Sequence, residues 1–307
     1  MVIDVHAHYF PDAYVIDVMN RPDIPHKGAA PLHDVGIAER LEDMERLGIG
    51  AQVLSLGLLQ PYLEGAEESA HAARVANDLY ADLCREHPGT LFSLGALPLP
   101  HVDASLAEIE RCFGELGMRG VGVTCSVNGR ELDDPVFEPV FEELNRRGAV
   151  LTVHPNGAVD TGPEDNYRLN WVAGALFEDT LCALRLALAR IPERYPDLQL
   201  VVPHLGGTVP YLVNRVERLN PGTQAMLRKM WFDTIPAGPL AAQCFDAAVG
   251  ADRLLLGSDF PFANQRGYEH RLSYISDVGF DAEQVRQIRG ERAAALLGVG
   301  AEAGAAA

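Results

Sequence analysis

Lysine is nearly missing from this chain: only Lys27 and Lys229 occur among 307 residues, and 25 Lys+Arg face 43 Asp+Glu for a formal net charge of −18. Such a surface repels phosphate backbones and anionic bilayers, and no local run of basic residues offsets it, so neither nucleic acid nor a membrane is an expected partner. Small anions stay open, because a metal ion or a buried arginine reverses the potential inside a pocket. No stretch reaches the roughly 18–20 uninterrupted apolar residues of a membrane span, and Asp4 breaks the first apolar run where a signal peptide would continue. The five cysteines, Cys84, Cys112, Cys125, Cys182 and Cys244, form no C-x-x-C pair, which suits reduced thiols in a cytoplasmic protein. No G-x-G-x-x-G follows the first apolar run, which argues against a dinucleotide-binding open sheet.

What is present is an ordinary globular composition, 48% hydrophobic and 22% charged, so the chain can bury a large core. Eight short apolar runs, several of them rich in β-branched residues, recur at 1–5, 51–57, 91–97, 119–124, 149–154, 198–204, 230–234 and 253–259. Most are apolar on both faces, as strands of a helix-covered parallel sheet are. Helical patterns separate them. "VGIAERLEDMERLG" sets Ile37, Leu41, Met44 and Leu47 on one face and stops at Gly48; "DDPVFEPVFEELNRRG" offers Asp134 as cap and Pro135 in the first turn. Ser105 with Glu108, and Asp281 with Gln284, read as capping pairs. Strands and helices alternating eight times predict a (β/α)8 TIM barrel in one domain over residues 1–299, with 300–307 a frayed tail. Connections after the first, second and fifth strands, at 9–35, 57–68 and 155–177, are long, as βα loops that build barrel active sites are.

On that barrel the polar residues gather. His6 and His8 close the first strand, two residues apart and therefore on one face; His154, His204 and Asp259 close the fifth, sixth and eighth. Five metal-type ligands thus share the rim where barrel catalysis sits. Neutral imidazoles with one carboxylate suit Zn2+ or a similar divalent ion such as Mn2+, whose bound water ionises near neutral pH. One ion is expected: the end of the fourth strand carries Thr124 and Cys125, with no lysine to bridge a second metal. Asp4 and Asp233 lie inside strands and orient their neighbours by hydrogen bonding. The other histidines fall on loops or helices; of these only His26 and His33, in the first long loop, are candidates to approach the site.

The segments "DVHAHYFP", "HP" at 154–155, "HLGG" at 204–207 and "GSDFPF" at 257–262 together resemble the metal-dependent amidohydrolase superfamily, in its 2-amino-3-carboxymuconate 6-semialdehyde decarboxylase-like branch. The resemblance implies that His6, His8, His154 and Asp259 hold the zinc and that His204, a nearby non-ligand or weak ligand, deprotonates the metal-bound water. It places Trp171, in "YRLNWVAG", in a substrate loop, and implies a homodimer in which Arg215 reaches the neighbouring subunit's site to hold a substrate carboxylate. The plainer roles are core packing for Trp171 and a surface ion pair for Arg215. The chain departs from the branch in two places: residues 22–39 hold no arginine, and Asn156 stands after His154-Pro155 as a substrate-side residue where a large aromatic is usual.

The leading expectation is a non-oxidative decarboxylase of a small unsaturated or aromatic carboxylic acid, with His204 moving the proton and Asp259 as ligand or proton shuttle. The same site would serve a hydrolase or hydratase acting on an amide, a lactone, a carbon–carbon bond or an alkene. A non-catalytic metal-binding barrel is the third reading.

Overall fold

A computed structural model describes residues 1–20, 36–157, 167–235, 238–262 and 265–299; His26, His33 and the 300–307 tail lie outside these. Eight parallel strands form the centre: β1 (Val2–His8), β2 (Ile49–Ser55), β3 in two pieces (Leu91–Ser93 and Gly95–Ala96), β4 (Gly120–Thr124), β5 (Val150–His154), β6 (Gln199–Val202), β7 (Trp231–Asp233) and β8 (Leu254–Leu255). Each pairs with its sequence neighbour, from Ile3 opposite Ala51 through Thr124 opposite His154 to Asp233 opposite Leu255. The pieces of β3 are bridged by Leu94 N donating to Leu54 O at 2.9 Å. Val5 N to Leu256 O at 2.9 Å, Asp259 N to His6 O at 2.7 Å and His8 N to Phe260 O at 2.7 Å join the last strand to the first. The ring closes, so none of these eight strands is left with an unpaired edge.

Helices α1 (Ile37–Leu47), α2 (Ala66–Glu86), α3 (Val102–Gly114), α4 (Glu138–Arg146), α5 (Ala175–Leu188), α6 (Val209–Leu219), α7 (Pro239–Ala248) and α8 (Gln265–Ser273) cover it. The segment Ala282–Arg286, Gln287–Glu291, Arg292–Leu297 ends the described chain. Asp134 Oδ1 accepts from Val136 N, and Asp281 with Gln284 forms a reciprocal capping box, both as the sequence predicts. Ser105 differs. It sits one turn inside α3, its hydroxyl donating back to His101 O, while the buried Glu108 is held by Asn77 and Arg111 and does not reach the helix start.

An apolar cluster of Ile3, Ala51, Val53, Leu94, Val150, Val201 and Leu255, with Ala293 and Leu297 of the last helix, draws residues from six of the eight strands. Burial of each large side chain there contributes about 1.5–3 kcal/mol, which anchors the ring from within. The polar residues are left to the other ends of the strands.

Candidate metal and catalytic site

His6, His8, His154 and Asp259 offer four donor atoms that all lie within 4.8 Å of one another. Each imidazole is turned by a bond at its other nitrogen. His6 Nδ1 meets Asp233 Oδ2 at 2.6 Å, His8 Nδ1 lies 3.3 Å from Ser55 O and 3.1 Å from its hydroxyl, and His154 Nδ1 meets Pro155 O at 2.9 Å. Acceptors on Nδ1 keep the proton there and aim the Nε2 lone pairs inward. His6 Nε2 and His8 Nε2 are 3.0 Å apart, and Asp259 Oδ1 is 3.4 Å and 3.2 Å from them. The buried His154 Nε2 has no protein partner. Two lone pairs facing each other and a third orphaned beside a carboxylate form an arrangement that a cation relieves, so the donor set fits one divalent metal ion.

Electrostatics agree. Burial, which outweighs the pull of Asp259, pushes His8 down to about 4, whereas at His6 the Asp233 carboxylate reverses the effect of burial and raises the imidazole. Burial and the surrounding imidazoles drive His154 well down. His8 and His154 are therefore neutral, the form in which an imidazole binds a metal. Burial works against the Asp259 carboxylate, but His8, His6 and Arg271 outweigh it and hold the group well below the ordinary carboxylate range.

His204 stands beside this group rather than in it: its ring centroid is 5.3 Å from that of His6 and 6.0 Å from that of His154. Its Nδ1 meets Asp179 Oδ2, from α5, at 2.7 Å. Burial lowers its affinity for a proton, but the Asp179 carboxylate reverses this and lifts the imidazole to about 9. The strand-end turn explains its aim. His204, Leu205, Gly206 and Gly207 all have positive φ, and His204 N is held by Asp233 Oδ1 at 2.8 Å. A Cβ on Gly207 would stand 1.9 Å from Leu176 O, so the "GG" of the motif is a steric requirement of the turn.

A cavity of about 290 Å3 opens over these groups. His154, His204 and Asp259 line it, with apolar walls from Trp171, Val172, Leu176, Ile235 and Phe262, and two arginines, Arg168 and Arg271. Arg271 Nη1 donates to Ser258 O at 2.8 Å and to Asp259 Oδ2 at 3.2 Å. Trp171, expected from the sequence, packs so closely over Gly157 that a Cβ there would lie 2.3 Å from the indole ring. Asn156 does not line this cavity: its amide donates to Ser126 O at 3.0 Å and to Ser126 Oγ at 2.8 Å. Arg215 is exposed on α6, outside its own chain's cavity, and makes no ion pair among the described residues. Asp4 and Asp233 bond their neighbours as predicted; Asp4 accepts from His6 N at 3.2 Å and from Ser258 N at 2.9 Å. Asp179, Arg168, Arg271 and Phe262 were not singled out by the sequence. The one signal for Asp179 is an acidic residue at a buried position of a mostly apolar helix.

The amidohydrolase family profile matches residues 3–299. The chain belongs to the amidohydrolase family. Among its curated amidohydrolase relatives, the 2-amino-3-carboxymuconate-6-semialdehyde decarboxylase of Dictyostelium discoideum is 29% identical over 236 residues, 73% of this chain and 66% of that one. A gamma-resorcylate decarboxylase of a Rhizobium species is 28% identical over 255 residues, 73% of this chain and 76% of that one. Among solved structures, Metarhizium anisopliae IDCase matches with a TM-score of 0.85 at 23% identity, over 97% of both chains. The dihydroxybenzoic acid decarboxylase of Polaromonas sp., solved with bound manganese and 2-nitroresorcinol, matches at 0.79 and 20% identity, over 97% of this chain and 96% of that one. These likenesses carry the barrel fold. Among the described residues, no helix of this amidohydrolase is long and apolar enough to cross a membrane.

Proposed function

We propose that this amidohydrolase is a metal-dependent, non-oxidative decarboxylase of a small unsaturated or aromatic carboxylic acid. The observation that carries the reading is the convergence of three imidazole nitrogens and one carboxylate oxygen on a point at the floor of an apolar-walled cavity, beside a fourth, separately held histidine. His6, His8, His154 and Asp259 would hold a divalent ion, zinc or manganese by the donor set, which supplies Lewis acidity and lowers the pKa of water.

The chain's own groups do the rest. Trp171, Val172, Leu176, Ile235 and Phe262 exclude water from the substrate, which favours a charged carboxylate departing as neutral CO2. The electron pair left on carbon takes up one proton. His204, aimed by Asp179, is placed to collect a proton in one step and return it to that carbon in another. Arg271 clamps Asp259 against the floor. A homodimer belongs to the same reading, with the exposed Tyr211 and Arg215 of α6 facing the second subunit.

The test is the mass of the product when metal-loaded protein meets carboxylated phenols, muconate semialdehydes, lactones and amides. Loss of one CO2 supports the proposal. Gain of one water, or cleavage that consumes water, replaces it with the hydrolase or hydratase reading.

A further inference from the structure

We propose that Arg168 selects the substrate by holding a second carboxylate that remains on the product, so that the cavity prefers dicarboxylic acids to the matching monocarboxylic acids. The inference deepens the decarboxylase reading and rests on it for the reaction, but its binding arm stands alone.

The two arginines of the cavity are differently committed. Arg271 spends Nη1 on Ser258 O and on Asp259, and so belongs to the floor. Arg168 is exposed and lines the same cavity, yet its guanidinium has no hydrogen bond or ion pair among the described residues. Many arginines of this acid-rich chain are clasped by carboxylates, as Arg46 is by Asp43 and Glu269, Arg111 by Glu108 and Asp78, and Arg185 by Asp133; Arg168 differs from the unpaired Arg215 in lining the cavity. An unmatched guanidinium at a cavity wall is a planar fork with nothing in it, and a carboxylate fits that fork bidentately.

Arg168 is also held by its backbone. Its φ is +57°, a left-handed conformation that costs a non-glycine residue free energy; the other cavity residues in that region are His204 and Asp259. Its carbonyl accepts from Trp171 N at 3.1 Å and from Val172 N at 2.9 Å. Asn170 Nδ2 donates to Gly157 O at 2.7 Å and ties this turn to the end of β5. The side chain therefore starts from a fixed backbone point on the wall that Trp171 also lines.

Which charge it holds follows from the reaction. During decarboxylation the negative charge leaves the departing carboxylate for the carbon skeleton. An arginine gripping that carboxylate would stabilise the ground state more than the transition state and slow the step. Arg168 helps only by gripping an anion that stays. A space of about 290 Å3 accommodates one ring-sized skeleton with its substituents.

Calorimetric titration of the purified protein with benzene-1,3-dicarboxylate and with benzoate tests the binding. The wild type is expected to bind the dicarboxylate about tenfold or more tightly, Arg168→Met to bind both alike, and Arg168→Lys to keep part of the preference. Turnover supplies the second arm: for any acid pair that is decarboxylated, Arg168→Met raises KM for the dicarboxylate about tenfold and leaves kcat within about twofold. Equal binding by the wild type, or a preference that survives in Arg168→Met, overturns the proposal. A preference that depends on Arg168 without any loss of CO2 keeps this site and defeats the decarboxylase reading.

Discussion

The floor of the cavity and its mouth are built in opposite ways. The floor is strand: His6 and His8 end β1, His154 ends β5, and each ring is locked through Nδ1 to Asp233, Ser55 or Pro155. The mouth is loop and helix start. Arg168 and Trp171 follow β5, Phe262 follows β8, and Tyr167 alongside is 80% exposed. Rigid strand ends hold a donor set to the fraction of an ångström a metal requires, whereas loops vary at little cost to the ring. In the proposed reading the floor carries the chemistry, and the mouth the choice of substrate.

Removing a floor ligand should break this division most completely. His6→Ala or Asp259→Ala is expected to lose bound metal and turnover together, read by elemental analysis beside kinetics. His204→Ala comes next: metal content is retained while kcat falls about 100- to 10,000-fold, the range of general acid–base catalysis. Loss of metal from His204→Ala would instead make it a ligand and merge the two kinds of histidine.

Asp179→Asn sharpens the contrast further. The carboxylate lifts His204 to about 9 against its burial, so its removal lowers that value. We expect activity to fall about 10- to 100-fold, and the limb of the pH–rate profile that belongs to His204 to move to lower pH. The same pair makes metal-free protein pH-sensitive. The folded value exceeds the ordinary 6.5, so its stabilisation is whole below that pH and fades as pH rises through about 9. Thermal melts of the metal-free protein at about pH 6 and about pH 9.5 should show this loss in the wild type and less of it in Asp179→Asn. The smallest effect belongs far from the site. Asp281→Ala removes the capping box and should cost about 1 kcal/mol of stability, measured by urea unfolding, with kcat unchanged.

The ring was legible because its signals are local. Runs such as "AVLTVH" are short, β-branched and apolar on both faces, and Asp134 and Asp281 mark helix starts by bonds spanning two or three residues. Ser105 misled because a capping pair is a pattern of two residues, and the tertiary partners Asn77 and Arg111 claimed Glu108. The donor cluster was legible for another reason: strand ends are local features, and closing the ring brings such ends together. Asn156 shows the limit. It follows His154 by two residues, yet Ser126 on the neighbouring connection draws its side chain away from the cavity.

The sequence alone determined the alternation of strand and helix, the placing of His6, His8 and His154 at strand ends and of His204 and Asp259 just past them, and the excess of acidic over basic residues. These follow from periodicity, capping and composition, which act over a few residues. Only the tertiary structure decided that Asp179 serves His204, that Asp233 serves both His6 and the His204 turn, and that Arg168 and Arg271 line one cavity. Their partners lie 25 to 227 residues apart in the paired cases, and nothing in a one-dimensional pattern states which side chains a closed ring sets face to face.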